Sequence, residues 1–224
     1  MNDLSNATID LFRDLEPGDL VQIERNITVA TVPPGYMFFS PNDYGEHLFL
    51  LQSGRVRLYK LSIEGRALTL NVLEPPEVFG EMSVIDPWLH DSFAEAMIHC
   101  TVGMLHRSDL RRAMEAHPQI TLRLMELMGR RLLSMESKLS DIAFKSVPQR
   151  LATVLLSLVS PSTPASDAPI VVRYTHQQLA EMIGSYRETV TKAIGDFRSS
   201  GMIRVEEEAI YLMDMPRLRQ LAGR

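Results

Sequence analysis

The sequence predicts an α+β protein: an N-terminal β-barrel or β-roll, a long helix, and a C-terminal winged helix-turn-helix. Three observations lead there. Short runs rich in β-branched and aromatic residues recur through 27–106, separated by turn chemistry. Apolar residues then repeat at alternating steps of three and four through 118–144. Finally, two helix-start signatures stand ten residues apart, at Thr175 and Ser185.

The N-terminal strands are YMFF, HLFLLQSGRVRLYKL, ALTLNVL and SFAEAMIHCTVGML, with PPG, PND, SG, EG and EPPE between them. Many short strands at that spacing close into a barrel or roll. Ser108 is placed to cap a short helix, and Pro118 suits an early position of the long helix that follows, which runs to about Phe144. Met125, Met128, Leu132, Met135, Leu139 and Ile142 form its seam, the spacing of a coiled coil between two copies. The same helix could instead pack only on its own domain. Leu122, Leu124, Leu127 and Leu133 widen the apolar surface, which suggests one face for a partner helix and another for the β-domain. A hinge is expected at 144–147, then the helix VPQRLATVLLSLV and the surface loop SPSTPASDAP. The expected domains are 1–117, 118–145 and 146–224.

Bulk properties narrow the function classes. A chain of 224 residues can bury two modest cores. No apolar run is long enough to cross a bilayer, and the start MNDLSNATIDLFRDLEPGD lacks the basic-then-apolar order of a secretion signal, so a cytoplasmic location without membrane partners is expected. The single cysteine, Cys100, excludes an intrachain disulfide and cannot by itself supply an iron–sulfur site. Net charge is −5, from 23 Lys and Arg against 28 Asp and Glu. From Ser146 onward the balance is 9 against 8, so the deficit lies in the N-terminal part and a local basic face remains open to the C-terminal domain. There is no P-loop, dinucleotide fingerprint, GxSxG or HExxH, and no catalytic residue or metal site is expected.

In the C-terminal part, Thr175 with Gln178 and Ser185 with Glu188 read as capping boxes, with Gly184 in the turn between them. Val190, Ile194 and Phe197 share one stripe of the second helix, leaving Arg187, Glu188, Thr191 and Lys192 outside. Arginine can bond bidentately to guanine O6 and N7, and glutamate can accept from cytosine N4. Glu188 could equally serve only its capping box, or pair with Lys192 four residues on. GMIRV, EEE and AIYLM complete a two-stranded wing. Its tip, Glu206 to Glu208, would repel phosphate if held against it, so the tip is read as a solvated turn, a protein contact, or a segment pointing away from DNA.

The run TxxxLAxxIGxxRETVTKxIxxFxxxGMI resembles the DNA-binding domain of the Crp/Fnr family, through Thr175, Leu179, Ala180, Ile183, Gly184, Arg187, Glu188, Thr189, Val190 and Lys192. The order of parts is similar over nearly the whole chain. The resemblance implies a double-stranded, jelly-roll-type β-roll like those that bind cyclic nucleotides, a dimerisation helix and the winged helix. It implies a homodimer on a TGTGA-like palindrome in double-stranded DNA, contact with RNA polymerase, for which 160–167 is the nominated loop, and more commonly activation than repression. The expected DNA-facing residues are Arg187, Glu188, Lys192, Tyr186, Thr189, Thr191, Ser185, Thr175, His176 and Gln177. Lys192 stands where many members carry arginine, which removes a bidentate geometry.

FGEMSVIDPWLHDSFAEA resembles the family's phosphate-binding cassette. Gly80, Glu81, Met82, Ser83, Asp91 and Ser92 mark the corresponding effector pocket, completed from the long helix by Met135 and Glu136. The family's phosphate-neutralising arginine aligns with Asp91, and no Lys or Arg occurs between Arg66 and Arg107. Cyclic AMP is therefore not expected to bind tightly, and no cofactor is expected; an unidentified ligand and a regulator that binds DNA without one both stay open. Haem would need an axial ligand; His47, His90, His99 and His106 read instead as structural or exposed.

Overall fold

The computed structural model describes residues 10–13, 15–88, 90–159, 170–172, 174–207 and 209–223. The chain forms two compact units. One comprises Met1–Lys60 with Leu70–Ser134, and the other Leu61–Thr69 with Met135–Arg224.

The N-terminal unit is a β-roll of two four-stranded sheets. Its strands are β1 (Ile27–Val32), β2 (Met37–Phe39), β3 (His47–Ser53), β4 (Val56–Leu61), β5 (Ala67–Leu73), β6 (Glu77–Phe79), β7 (Phe93–Ala96) and β8 (Cys100–His106). One sheet has the order β1-β8-β3-β6, the other β2-β7-β4-β5. The β1–β8 and β3–β8 pairings are antiparallel, with Ile27 opposite Leu105 and Leu50 opposite Gly103.

The apolar run in β3 follows from its place in the sheet. Phe49 and Leu51 point toward the other sheet and pack with Val32, Phe39, Val56, Leu73, Phe79 and Val102. Leu48 and Leu50 point the opposite way, into a second core. That core is roofed by a 3-10 turn (Asp10–Phe12), α1 (Pro17–Glu24), α3 (Arg107–Ala116) and the start of α4 (Pro118–Phe144). A strand buried on both faces loses the alternating pattern and reads as a continuous hydrophobic run. The short helix α2 (Met82–Ile85) follows β6.

Ser108 does not cap α3. The helix begins at Arg107 with His106 as its cap, and the His106 Nδ1 accepts from the Ser108 amide at 3.2 Å. An imidazole nitrogen does here what a serine oxygen usually does.

α4 has one face buried in the β-roll and one exposed, with Met128 half-buried between them. Ile120, Leu124 and Leu127 are buried in the β-roll core, while Leu122 and Leu133, expected to widen the surface, stay exposed. Met125, Leu132, Met135, Leu139 and Ile142 are also exposed.

The C-terminal unit contains α5 (Val147–Ser157), β9 (Ile170–Val172), α6 (His176–Ile183), α7 (Arg187–Ser199), β10 (Ile203–Val205), β11 (Ala209–Leu212) and α8 (Met215–Ala222). The three strands form an antiparallel sheet of order β10-β11-β9. Leu151 and Leu155 of α5, Leu179 and Ile183 of α6, Val190 and Phe197 of α7, and Leu218 of α8 are all buried.

Candidate nucleic-acid interface and effector pocket

The first capping box forms as expected. The Gln178 amide donates to Thr175 Oγ1 at 3.1 Å, and the Thr175 amide donates to Gln178 Oε1 at 2.8 Å. α6 ends at Gly184, which lies in the left-handed region at φ 62°, a conformation that costs glycine little and a side chain about 1 kcal/mol.

The second capping box does not form. Ser185 is spent on closing α6, its amide donating to Ala180 O at 2.9 Å. Tyr186 is the N-cap of α7, in extended conformation and without a side-chain cap bond. Glu188 is therefore not needed as a capping partner and stays exposed.

α7 presents two distinct faces. Val190, Ala193, Ile194 and Phe197 are buried, whereas Tyr186, Arg187, Glu188, Thr189, Thr191 and Lys192 are exposed. All long polar groups of the helix's first two turns thus lie on the solvent side. His176, at the start of α6, joins the two helices: its Nδ1 lies 2.9 Å from Thr191 Oγ1. Thr191 Oγ1 donates to Arg187 O at 2.9 Å, so its one proton is engaged and His176 Nδ1 acts as donor toward it. Thr175 and Gln177 flank this pair at the start of α6. In the wing, Arg204 pairs with Glu206 at 3.1 Å and stacks over Tyr211, which offsets part of the acidic tip; Glu208 and the 160–167 loop lie outside the described residues.

In the β-roll, Gly80 has φ +79° and a Cβ there would meet His47 O at 2.9 Å, so the cassette backbone packs directly on β3. Ser83 is fully buried, its hydroxyl donating to Gly80 O at 2.8 Å. Ser83 therefore serves its own turn. Met82 opens α2, and Ser92 is half-buried just ahead of β7.

The expectation that this pocket lacks cations is corrected by the fold. Lys60 Nζ lies 2.7 Å from Asp91, and Arg131 of α4 lies 2.5 Å from Glu81 and 3.3 Å from Glu77. Arg131 also donates to Val78 O. Both cations come from other elements, which a search of the local sequence cannot find. Each is already matched by carboxylate, and the Glu81 carboxylate is 10% exposed and held by Arg131. Met135 and Glu136 stand exposed on α4, in the second unit.

Three of the four β-roll histidines named above have packing or capping contacts. His90 is buried and stacks on Phe39 at 3.9 Å, His106 caps α3, His47 meets His106 edge-on, and His99 is exposed. Burial holds the His90 imidazole below its usual pKa.

A β-roll, a long helix with an exposed apolar seam, and a winged helix-turn-helix with an open polar reading face together define a DNA-binding regulator. Residues 149–221 match the Crp-like helix-turn-helix domain, and residues 29–117 the cyclic nucleotide-binding domain. The chain is 30% identical over 196 residues to the global nitrogen regulator of Synechocystis, covering 86% of this chain and 87% of that one. It is 29% identical over 218 residues to a CRP-like cAMP-activated global transcriptional regulator of Mycobacterium tuberculosis, covering 96% and 97%. A CRP/FNR-family transcriptional regulator from Thermus thermophilus superposes with TM-score 0.74 at 27% identity, covering 88% of this chain and 99% of that chain. The protein belongs to the Crp/Fnr family of transcription regulators.

Proposed function

We propose that the protein is a non-enzymatic, cytoplasmic homodimer that reads a TGTGA-like palindrome and activates transcription through contact with RNA polymerase, without requiring cyclic AMP. The division into 1–117, 118–145 and 146–224 as sensor, dimerisation helix and reading domain belongs to this proposal. The observation that carries it is the exposed row Arg187, Glu188, Thr191 and Lys192 above a fully buried opposite stripe. Arg187 is assigned to guanine and Glu188 to cytosine, with Lys192, Thr189, Tyr186, Ser185, Thr175, His176 and Gln177 supplying phosphate and supporting contacts. Two such helices, on copies joined along Met125, Met128, Leu132, Met135, Leu139 and Ile142, would enter successive major grooves about one turn apart.

Independence from cyclic AMP is supported by the charge balance at Gly80 to Ser92. Lys60 is matched by Asp91 and Arg131 by Glu81, so neither cation is left over to neutralise a phosphate withdrawn from water. A ribose hydroxyl would also have to share Glu81 with Arg131, which already holds its Oε1. The mycobacterial relative is a cAMP-activated regulator and the cyanobacterial one a nitrogen regulator, so family membership does not fix the effector.

The test is fluorescence anisotropy of a TGTGA-type palindrome at fixed physiological salt, with and without cyclic AMP. Tight binding unaffected by the nucleotide is expected. Binding that emerges only with cyclic AMP would overturn the charge argument.

A further inference from the structure

The β4–β5 turn belongs with the reading domain, since Leu61–Thr69 forms one compact unit with Met135–Arg224. The turn is firmly built. The Ser62 amide donates to Arg66 O at 2.8 Å, the Gly65 amide to Ser62 O at 2.9 Å, and the Arg66 amide to Ser62 Oγ at 3.2 Å. Beyond it, Lys138 Nζ donates to Thr69 O at 2.6 Å. Leu68 lies close enough to the helix-turn-helix corner that a Cβ on Gly184 would stand 3.4 Å from its Cδ1.

From this turn the Arg66 guanidinium reaches Tyr186, the residue immediately before the recognition helix. It lies 4.1 Å from the ring centroid, and Arg66 Nη1 donates to the Tyr186 hydroxyl at 3.1 Å. One N–H and one face of the guanidinium are thus used. No other hydrogen bond or ion pair of this group exists among the described residues.

We infer that Arg66 is a DNA-backbone contact: a phosphate-binding cation delivered from the β4–β5 turn and aimed by Tyr186 beside the recognition helix. The contact does not act as a cover, because Arg187, Glu188, Thr189, Thr191 and Lys192 are exposed with Arg66 in place. A helix that enters the major groove is flanked by phosphates on both strands, so a guanidinium held at the residue just before its first turn is placed to meet one of them. Planar guanidinium with free N–H groups is suited to phosphate oxygens. The reading domain is poor in net positive charge, with 9 Lys and Arg against 8 Asp and Glu from Ser146 onward, so a cation contributed from outside that stretch matters. Glu64 shares the turn and accepts from Ser62 Oγ at 2.7 Å. With the turn beside phosphate, this carboxylate opposes binding.

The inference rests on the DNA-reading proposal above, and the test separates them. Full-length protein is titrated by anisotropy with the palindrome and with an unrelated duplex, over a range of salt concentrations. Arg66→Ala is expected to weaken both duplexes equally, by about 5-fold per half-site at ~0.15 M salt, and to reduce the salt slope by about 0.9 for each half-site. Arg66→Lys should retain most of that slope, and Glu64→Gln should tighten binding to both duplexes. Arg187→Ala, by contrast, should remove the preference for the palindrome. Equal or tighter binding by Arg66→Ala, while wild type binds and Arg187→Ala loses specificity, overturns the role of Arg66 alone. Loss confined to the palindrome does the same, since a phosphate contact carries no sequence information. Wild type that binds neither duplex overturns the DNA-reading proposal, and this inference with it.

Discussion

Replacing Leu139 with alanine probes the seam on which the proposed dimer depends. α4 has 27 residues, about 40 Å of helix, and its seam residues are exposed in the isolated chain, with Leu132 at 61% and Leu139 at 69%. Fully burying a leucine side chain is worth about 1.5 to 3 kcal/mol. Burial of the exposed part of Leu139 is then worth about 1 to 2 kcal/mol per chain. In a two-fold dimer both copies lose it together, so Leu139→Ala should weaken dimerisation by about 2 to 4 kcal/mol, roughly 30- to 1000-fold. Leu139 lies outside the buried core, so the monomer's fold should be little affected. Sedimentation equilibrium across a dilution series reads the dissociation constant directly. An unchanged constant in Leu139→Ala, or a wild type that stays monomeric at all concentrations, would show that α4 is not the dimer seam.

Burial lowers the Lys138 pKa from 10.5 to about 8. The unfolded chain then holds this proton to higher pH than the folded one, so stability rises between about pH 8 and 10.5; relative to Lys138→Met, wild type should gain up to about 3 kcal/mol over that window in denaturant titrations. For His90 the folded pKa is also lowered, so stability is lost as pH falls below 6.5. The melting temperature of wild type should drop more steeply from about pH 7 to 5 than that of His90→Phe, whose ring keeps the stack on Phe39 without titrating. Gly184→Ala places a side chain at φ 62° and should cost about 1 kcal/mol by thermal melting, with a parallel loss of DNA affinity if the helix-turn-helix corner is disturbed.

What can be read from the residues is what repeats or what is local. The long helix is legible because Met125 to Ile142 hold their spacing over about five turns, and the first capping box because its partners lie three residues apart. The second box fails for a physical reason: the corner after Gly184 is so tight that Ser185 closes the first helix and leaves Tyr186 to begin the next. β6 is hidden inside a proline-rich stretch, since a strand of only three residues has no period of its own. The His106 cap requires an imidazole in a place where serine is the usual choice. The pocket's ion pairs are out of reach altogether, because Glu81 and Arg131 are 50 positions apart and Lys60 and Asp91 31 apart, and only the pairing of strands and packing of α4 bring them together. Arg66 beside Tyr186 belongs to the same class, at a separation of 120.

Arg187, on an open recognition helix, is assigned to read base edges. This role is tested most directly by measuring, at one fixed salt concentration, the affinity of wild type and Arg187→Ala for a TGTGA palindrome and for a scrambled duplex of equal length. Wild type should prefer the palindrome, and Arg187→Ala should lose about 1 to 3 kcal/mol of binding there while its affinity for the scrambled duplex changes far less. Equal affinity of wild type for both duplexes, or a preference that survives in Arg187→Ala, would show that Arg187 does not read the bases.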